Sequence, residues 1–233
     1  MKNHIVLLCL MFFASAFAVR AQKSPGTLTL YPRLGVNFSK FAGDKLYTTL
    51  ENTPSEDDAL EAKYKTGLTL GAELQKQLTS NYAVSIGLLY SNMGTSFEDH
   101  IDASGELVME SSHFNISMHY AQVPLMLNAY LARGLAVKLG VQANFLIDAR
   151  SHTVWNKMDR KGNPAAESHQ TLESSVRFLF RNFDVSVPLG LSYEYRNFML
   201  DLRYNIGLMR TYKEYFSPKN RGLVLTLGYG LDL

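Results

Sequence analysis

The sequence predicts an all-β fold, a transmembrane up-and-down antiparallel β-barrel of about eight strands. Three observations support this class. They are an N-terminal export signal, large apolar residues that alternate with small or polar ones, and connections that alternate between short and long. The predicted parts are a signal peptide at 1–21 and a barrel domain at 22–233.

The start of the chain has the layout of a secretory signal peptide. Lys2 precedes the uncharged apolar run Ile5–Ala18, and small residues lead to a cleavage site after Ala21. This run is shorter than the roughly 20 apolar residues that a transmembrane helix needs, so a retained anchor is the weaker alternative. Cys9 is the one cysteine of the chain and lies in this segment, so the mature chain has no thiol for a disulfide or a metal site.

The charge balance gives no sign of a nucleic-acid partner. Without Lys2 and Arg20, 21 of the 23 basic residues remain against 21 acidic residues, so the mature chain is formally neutral. Proteins that bind nucleic acid usually carry a basic patch or a basic excess. The length also suits a single barrel domain.

Period-two alternation marks the strands. From Gly222 to Leu233, leucine and tyrosine at odd positions alternate with smaller or polar residues, which is typical of a β-strand. The same pattern predicts further strands at Leu28–Phe38, Tyr64–Leu74, Tyr82–Tyr90, Leu135–Ile147, Phe183–Tyr195 and Phe198–Leu208.

The predicted fourth strand changes phase. Its apolar residues are even-numbered from Phe114 to Tyr120 and odd-numbered from Val123 to Ala129. One extra residue in a strand shifts the side chains that follow to the other face. We therefore expect a β-bulge near Tyr120–Gln122.

The connections alternate in length. Short ones at 79–81, 132–134 and 196–197 alternate with long ones at 43–61, 95–113 and 152–174, and a shorter outer connection spans 212–220. Short turns and both termini on one rim, with long loops on the other, are typical of bacterial outer-membrane barrels. We expect the long loops to face the outside of the cell.

The large apolar residues must point outward. A soluble lipocalin-like barrel shows the same alternation with the apolar face inward, so periodicity does not separate the two classes. An eight-stranded barrel has room inside only for its own side chains or one small ligand. Because several large apolar residues per strand would not fit there, we predict an integral protein of the outer membrane of a Gram-negative cell, in contact with its lipid.

Several segments resemble the PorT-like family of outer-membrane β-barrel proteins. They are Tyr120–Asn128, Gly134–Gln142 and Leu200–Leu208, with Arg33–Ser39 and Leu225–Gly230 similar to the first and last strands of that family. The resemblance implies the barrel fold and the outer-membrane location. Because the namesake of the family is tied to a protein secretion and gliding system, the resemblance also raises a link to protein secretion.

The other face of the strands places charges of both signs inside the barrel. The predicted lumen polar network consists of Arg33, Glu73, Lys138, Asp148, Asp184, Glu194, Asp201 and Arg203. Buried charges are costly unless they are paired, so we favour a salt-bridged plug. A narrow transport barrel or pore for small solutes is the alternative, although aqueous channels usually need wider barrels.

No spacing of residues indicates a catalytic, cofactor or metal site. The histidines of the mature chain fall mostly in predicted loops, without the pattern of a catalytic triad. The acidic first loop, Glu51–Glu61, lacks the residue order of an EF-hand. We therefore predict that the protein is not an enzyme and needs no cofactor.

Trp155 is the residue that we expect to contact a partner. It is the one tryptophan of the chain and falls in the predicted third long loop. Tryptophan is enriched among the residues that dominate binding at interfaces. We predict a structural or interaction role, with protein contacts through the long extracellular loops.

Overall fold

The computed structural model describes residues 23–43, 46–47, 59–97, 100–102, 107–159, 164–213 and 218–233. At 46–47, 59–60, 100–102, 107–113, 155–159 and 164–170 it describes the backbone alone. The predicted signal peptide at 1–21 and most of the acidic first loop lie outside the described residues.

Eight antiparallel strands close into a barrel, which confirms the predicted fold class. They are β1 (Leu28–Ala42), β2 (Ala62–Gln77), β3 (Tyr82–Phe97), β4 (Leu107–Ala132), β5 (Leu135–Asp159), β6 (Phe183–Tyr195), β7 (Phe198–Gly207) and β8 (Lys219–Tyr229). Each strand pairs with the next along the chain, and β8 pairs with β1 to close the ring. Closure pairs the backbone groups of the wall within the protein, as hydrocarbon requires.

The apolar face of the strands lies on the outside of the barrel. In β8, Leu223, Leu225 and Leu227 are exposed, while Val224 and Thr226 between them are buried. Successive side chains of a strand point to opposite faces, so the exposed leucines form one row along the outer surface. The same arrangement in β6 and β7 gives the outward apolar band expected of a membrane barrel.

The bulge predicted in the fourth strand is not there. The even-numbered residues of β4 face the lumen from Ile116 to Tyr130 without a change of phase. Ile116, Met118 and Tyr120 are therefore inward-facing, although their size makes them look like lipid-facing residues in the sequence. The prediction was wrong because it assumed that every large apolar residue points to lipid.

At this level the extra residue that shifts the register of the β4–β5 pair lies in β5. His119 of β4 pairs with Asp148, and the next residue, Tyr120, pairs with Leu146. Ile147 is the extra residue, so it forms a bulge in β5. Past this bulge the side chains of β5 change face.

Strands β4 and β5 extend past the loop-side ends of their neighbours. They have 26 and 25 residues, whereas β7 has 10. The two strands stay paired out to Leu107 and Asp159. The β4–β5 pairing therefore runs from the short-turn rim to beyond the loop-side rim, with register shifts at 112/115, 119/120 and 130/132.

Two short strands flank this extension. His100–Asp102 pairs with β4, and Pro164–Ser175 pairs with β5. We call these two strands, together with 107–114 of β4 and 152–159 of β5, the protruding sheet. The connections predicted as long loops at 95–113 and 152–174 are thus largely strands.

The first long connection also contains backbone pairing. Leu46–Tyr47 pairs with Ala59–Leu60 as a two-stranded ribbon, so the segment predicted as a loop at 43–61 begins and ends in strands. Among the residues that the structure describes, no helix is long and apolar enough to cross a membrane.

Gly94 in β3 lies where the backbones of β3 and β4 approach closely. Its φ is 151°, and a Cβ built there would lie 1.9 Å from the carbonyl oxygen of Ile116. We predict that Gly94→Ala destabilises the barrel by about 1–3 kcal/mol, because the added carbon forces an unfavourable backbone conformation and displaces β4. The measurement is the urea midpoint of the refolded protein, and Ser96→Ala in the same strand is the control. Equal midpoints for the two variants would contradict the prediction.

Candidate functional site

Five charged side chains meet in the middle of the lumen. Arg33 comes from β1, Glu73 from β2, Lys138 from β5, and Asp201 and Arg203 from β7. None of them is more than 4% exposed. We call these five residues the lumen network. Sequence analysis placed each of them in the lumen, and the structure brings them into direct contact.

The two carboxylates of the lumen network each bind several cations. Glu73 Oε2 accepts a hydrogen bond from Arg203 Nη2 at 2.8 Å and lies 3.0 Å from Arg33 Nη2. Asp201 Oδ2 accepts a hydrogen bond from Lys138 Nζ at 2.7 Å and lies 3.1 Å from Arg33 Nη1. A buried charge is tolerated only with such partners, so the five residues stabilise one another's ionised forms.

The lumen network has three cations and two carboxylates, so it carries one net positive charge when all groups are ionised. Beside it lies a cavity of about 10 Å³, which Arg33, Gln122 and Asn205 help to line. This volume is enough for about one water molecule. The middle of the barrel is therefore filled by side chains.

Glu194 belongs to a second cluster near the short-turn rim. Tyr31 Oη donates a hydrogen bond to Glu194 Oε2 at 3.0 Å, and Lys23 Nζ lies 3.6 Å from Oε1. Lys23 also forms an ion pair with Asp232 near the end of the chain. Sequence analysis missed Lys23 and Tyr31, because Lys23 precedes the first strand and Tyr31 carries no formal charge.

Asp184 also faces the lumen but lies apart from both clusters. It is 3% exposed and lines a second cavity of about 10 Å³ with Tyr120, Asn144 and Asn220. Within the described part of the chain it makes no ion pair. Asp184 thus takes the inward position that the alternation predicts and lies among polar side chains, but it is not one of the five residues that form the ion pairs of the lumen network.

Asp148 does not lie in the predicted lumen network. Its side chain is 32% exposed and lies 2.9 Å from Arg150 Nε on the outer surface. The bulge at Ile147 shifts the phase of β5, so Ala149 takes the buried position. Because of this one extra residue, the Asp148 carboxylate lies on the outside of the barrel and not in the lumen.

Trp155 lies on β5, where its backbone pairs with Gln170 in the protruding sheet. Its position is therefore in a strand and not in the predicted loop. The orientation of its side chain lies outside the described residues, so its role as a contact stays a prediction.

The loop-side half of the lumen contains an apolar cluster beside buried polar residues such as Asp184 and Asn220. This cluster faces inward, and we call it the apolar plug: Phe41, Met93, Phe97, Ile116, Met118, Tyr120, Leu146, Ala149 and Phe180. Sequence analysis missed this cluster, because it assigned the inner face of the strands to polar residues.

Phe180 enters the apolar plug from the connection before β6. It follows a 3-10 turn at Arg177–Leu179 and is fully buried, with its ring 4.5 Å from that of Tyr212 and 6.2 Å from that of Phe41. Burial also raises the pKa of Tyr212 to about 12. Two successive barriers therefore fill the lumen, a charged one in the middle and an apolar one at the loop-side end.

The chemistry available inside the barrel is that of packing and charge pairing. Among the described residues, no group of three or more His, Cys, Asp or Glu side chains is arranged to hold a metal ion. The carboxylates of the lumen network are bound by arginine and lysine, which leaves them poorly placed to act as bases.

The lumen network predicts an asymmetric response to substitution. Asp201→Asn leaves three buried cations against one carboxylate, so we expect a loss of about 3–5 kcal/mol in the free energy of unfolding. Lys138→Met leaves two cations against two carboxylates, so we expect a much smaller loss. Urea titration of the refolded variants measures both values. If Lys138→Met were the more damaging change, the charge balance described above would be wrong.

Comparison with known proteins agrees with this architecture. The model of a family described as outer membrane protein beta-barrel domain matches residues 20–213. No curated protein matches the chain.

Several solved structures resemble the chain at low sequence identity. Ail of Yersinia pestis has 12% identity and a TM-score of 0.44, with 89% of this chain and 99% of that chain covered. Neisserial surface protein A has 9% identity and a TM-score of 0.43, with 86% and 96% covered. OprG from Pseudomonas aeruginosa has 10% identity and a TM-score of 0.34, with 92% and 100% covered. The family match spans most of the sequence, and the chain belongs to the family of outer membrane protein β-barrel domains.

Proposed function

We propose that this outer-membrane barrel is a closed anchor that holds the protruding sheet at the cell surface, where the sheet contacts a protein partner. The observation that carries the proposal is the β4–β5 pairing, which runs from the short-turn rim to beyond the loop-side rim with register shifts at 112/115, 119/120 and 130/132. Because the two strands stay paired beyond the wall, the barrel holds the protruding sheet in place. The barrel itself contributes position, because its lumen is filled.

The protruding sheet offers an open edge. Pro164–Ser175 pairs with β5 on one side, and among the described strands none pairs with its other side. Its described side chains, Thr171 to Ser175, are all exposed, and Leu172 is 56% exposed. An open edge presents unpaired backbone groups to which an extended peptide can add as a further strand. This edge is where we propose that the partner binds.

A link to protein secretion is a finer form of the same proposal. The resemblance of segments such as Tyr120–Asn128 to the PorT-like family supports it, and the partner would then be a component of a secretion system. We also propose that the signal peptide 1–21 is removed on export. The layout of the sequence supports this proposal, with Lys2, the apolar run Ile5–Ala18 and small residues before a cleavage site after Ala21.

We propose a non-enzymatic role for the barrel. The buried carboxylates of the lumen network are engaged by cations. A narrow transport barrel is the alternative function. A solute would have to displace both the lumen network and the apolar plug, which argues against it.

Closure of the lumen predicts flat current traces. Purified protein inserted in planar lipid bilayers should give no stepwise conductance, because the lumen network and the apolar plug act in series. Phe180→Ala removes one barrier and should also stay closed, because the lumen network remains. Stable single-channel steps from the unaltered protein would favour the transport barrel instead.

The protruding sheet can be removed without cutting the barrel ladder. His100 pairs with Ser111, so deletion of 100–111 leaves 98–99 to join β3 to Ser112. Trp155 pairs with Gln170, so 155–170 can be replaced by an Asn-Gly turn. We expect this trimmed variant to fold, because the barrel pairs are intact.

The test is capture of partners from outer-membrane extracts by tagged protein. A protein captured by the full chain should be lost with the trimmed variant. Trp155→Ala in the full chain tests the predicted contact, and Arg133→Gln at the opposite rim is the matched control. Because the trimmed variant keeps 171–175, capture of the same proteins by the full chain and the trimmed variant would show that 100–111 and 155–170 do not bind the partner.

A further inference from the structure

The outward rows of four adjacent strands end in basic residues at the loop-side rim. Lys40 ends the row of β1, Arg210 lies just beyond β7, and Lys219 and Arg221 begin the row of β8. Arg181 lies just before β6. We call these five side chains the basic crescent.

Strand register places the basic crescent in one arc of the surface. Arg221 is directly opposite Lys40 across the β8–β1 pair. At the other end of the arc, the backbone N–H of Arg181 donates to the carbonyl oxygen of Thr211 at 2.9 Å, and Thr211 directly follows Arg210. Like charges directly opposite in neighbouring strands destabilise a sheet, so this arrangement needs a counter-charge from elsewhere.

The protein does not supply that counter-charge within its described residues. Lys40 Nζ lies over the ring of Tyr64 at 4.8 Å, and Arg181 Nε donates to the carbonyl of Tyr212 at 3.3 Å. Neither contact neutralises charge. In the part of the chain that the structure describes, none of the five basic side chains forms an ion pair with a carboxylate.

The acidic residues of these strands point the other way. Asp184 and Glu194 of β6 and Asp201 of β7 are buried in the lumen. Among the described residues, the outer surface of this arc is therefore basic.

The basic crescent lies at the edge of the apolar band. Phe38 precedes Lys40 by two residues on the same face, as Leu208 precedes Arg210 and Leu223 follows Arg221. All three apolar side chains are exposed. Two residues along a strand span about 7 Å, so the charges lie where hydrocarbon gives way to lipid headgroups.

The opposite side of the barrel also carries basic side chains near the loop-side rim, but these have partners. Lys65 of β2 donates to Ser117 Oγ of β4, and Arg150 of β5 pairs with Asp148 at 2.9 Å. The basic crescent differs from them because its cations have no carboxylate partner among the described residues.

We propose that the basic crescent binds the phosphate groups of a phosphorylated glycolipid in the outer leaflet, whose acyl chains lie along the apolar rows of β6, β7, β8 and β1. Adjacent cations match two or more phosphates, and the exposed apolar side chains directly below them match the acyl chains. A soluble anion would use the cations but would gain nothing from the apolar rows. The inference rests on the outer-membrane location and is independent of the partner proposed for the protruding sheet.

The experiment titrates the refolded full-length mature chain in detergent with fluorescent bisphosphorylated lipid A, and in parallel with the same lipid lacking its phosphates. The test variant is Arg210→Gln/Lys219→Gln/Arg221→Gln, since the structure shows no side-chain contact for these three residues. The control is Lys76→Gln/Arg133→Gln/Arg196→Gln, which removes three exposed cations at the short-turn rim. The gel-mobility shift of folded barrels shows that each variant is folded.

We expect the unaltered protein to prefer the phosphorylated lipid, and the test variant to bind it on the order of a hundredfold more weakly, about fivefold for each cation. The control variant should bind as the unaltered protein does, and added salt should weaken the interaction. Equal binding of the two lipids, or an affinity of the test variant equal to that of the control, would overturn the proposal. So would displacement of the lipid by millimolar inorganic phosphate, because the site would then bind a free anion.

Discussion

A strand that crosses hydrocarbon must have both of its edges paired, and this constraint shapes the whole molecule. With eight strands, pairing is complete only when β8 meets β1 and the wall closes. A closed wall of this size has a narrow interior, so the inward side chains must fill it with few gaps. The apolar residues that do not fit inside then form the outward band, which lipid solvates. The fold, the filling of the lumen and the apolar outer surface all follow from the requirement that every backbone N–H and C=O group in the membrane forms a hydrogen bond.

The lumen shows two ways of filling the same narrow space. In the middle, Glu73 and Asp201 offset the desolvation of three cations by direct ion pairs. Toward the loop side, Phe180 and its neighbours fill the space mainly by apolar packing, and Asn220 donates a hydrogen bond to Tyr120 Oη at 3.1 Å. The two halves differ in what they require, because charges need exact partners whereas apolar side chains need only complementary volume. Among the described residues, side chains fill the lumen in both halves.

The surface divides into regions with different physical properties. The protruding sheet extends the β4–β5 ladder into water and presents backbone groups at its edge. On other strands, the basic crescent lies where the apolar band ends, and it carries charge that the described chain does not neutralise. A protein partner and a phosphorylated lipid would therefore meet separate faces of one rigid wall. The bulge at Ile147 adds to this division, since it moves Asp148 to the outside, where it pairs with Arg150.

The sequence by itself determined the barrel class, the outward rows and the inward position of residues such as Arg33 and Asp201, because alternation with period two is a local property of a strand. Only the tertiary structure decided which inward charges meet, since contact between Arg33 and Glu73 depends on the register between strands. It also decided that Ile116 points inward and Asp148 outward. A large apolar residue suits either lipid or a packed plug, and a one-residue bulge reverses every face beyond it. Both outcomes depend on how a strand pairs with its neighbour. The alternation within one strand carries no information about that pairing.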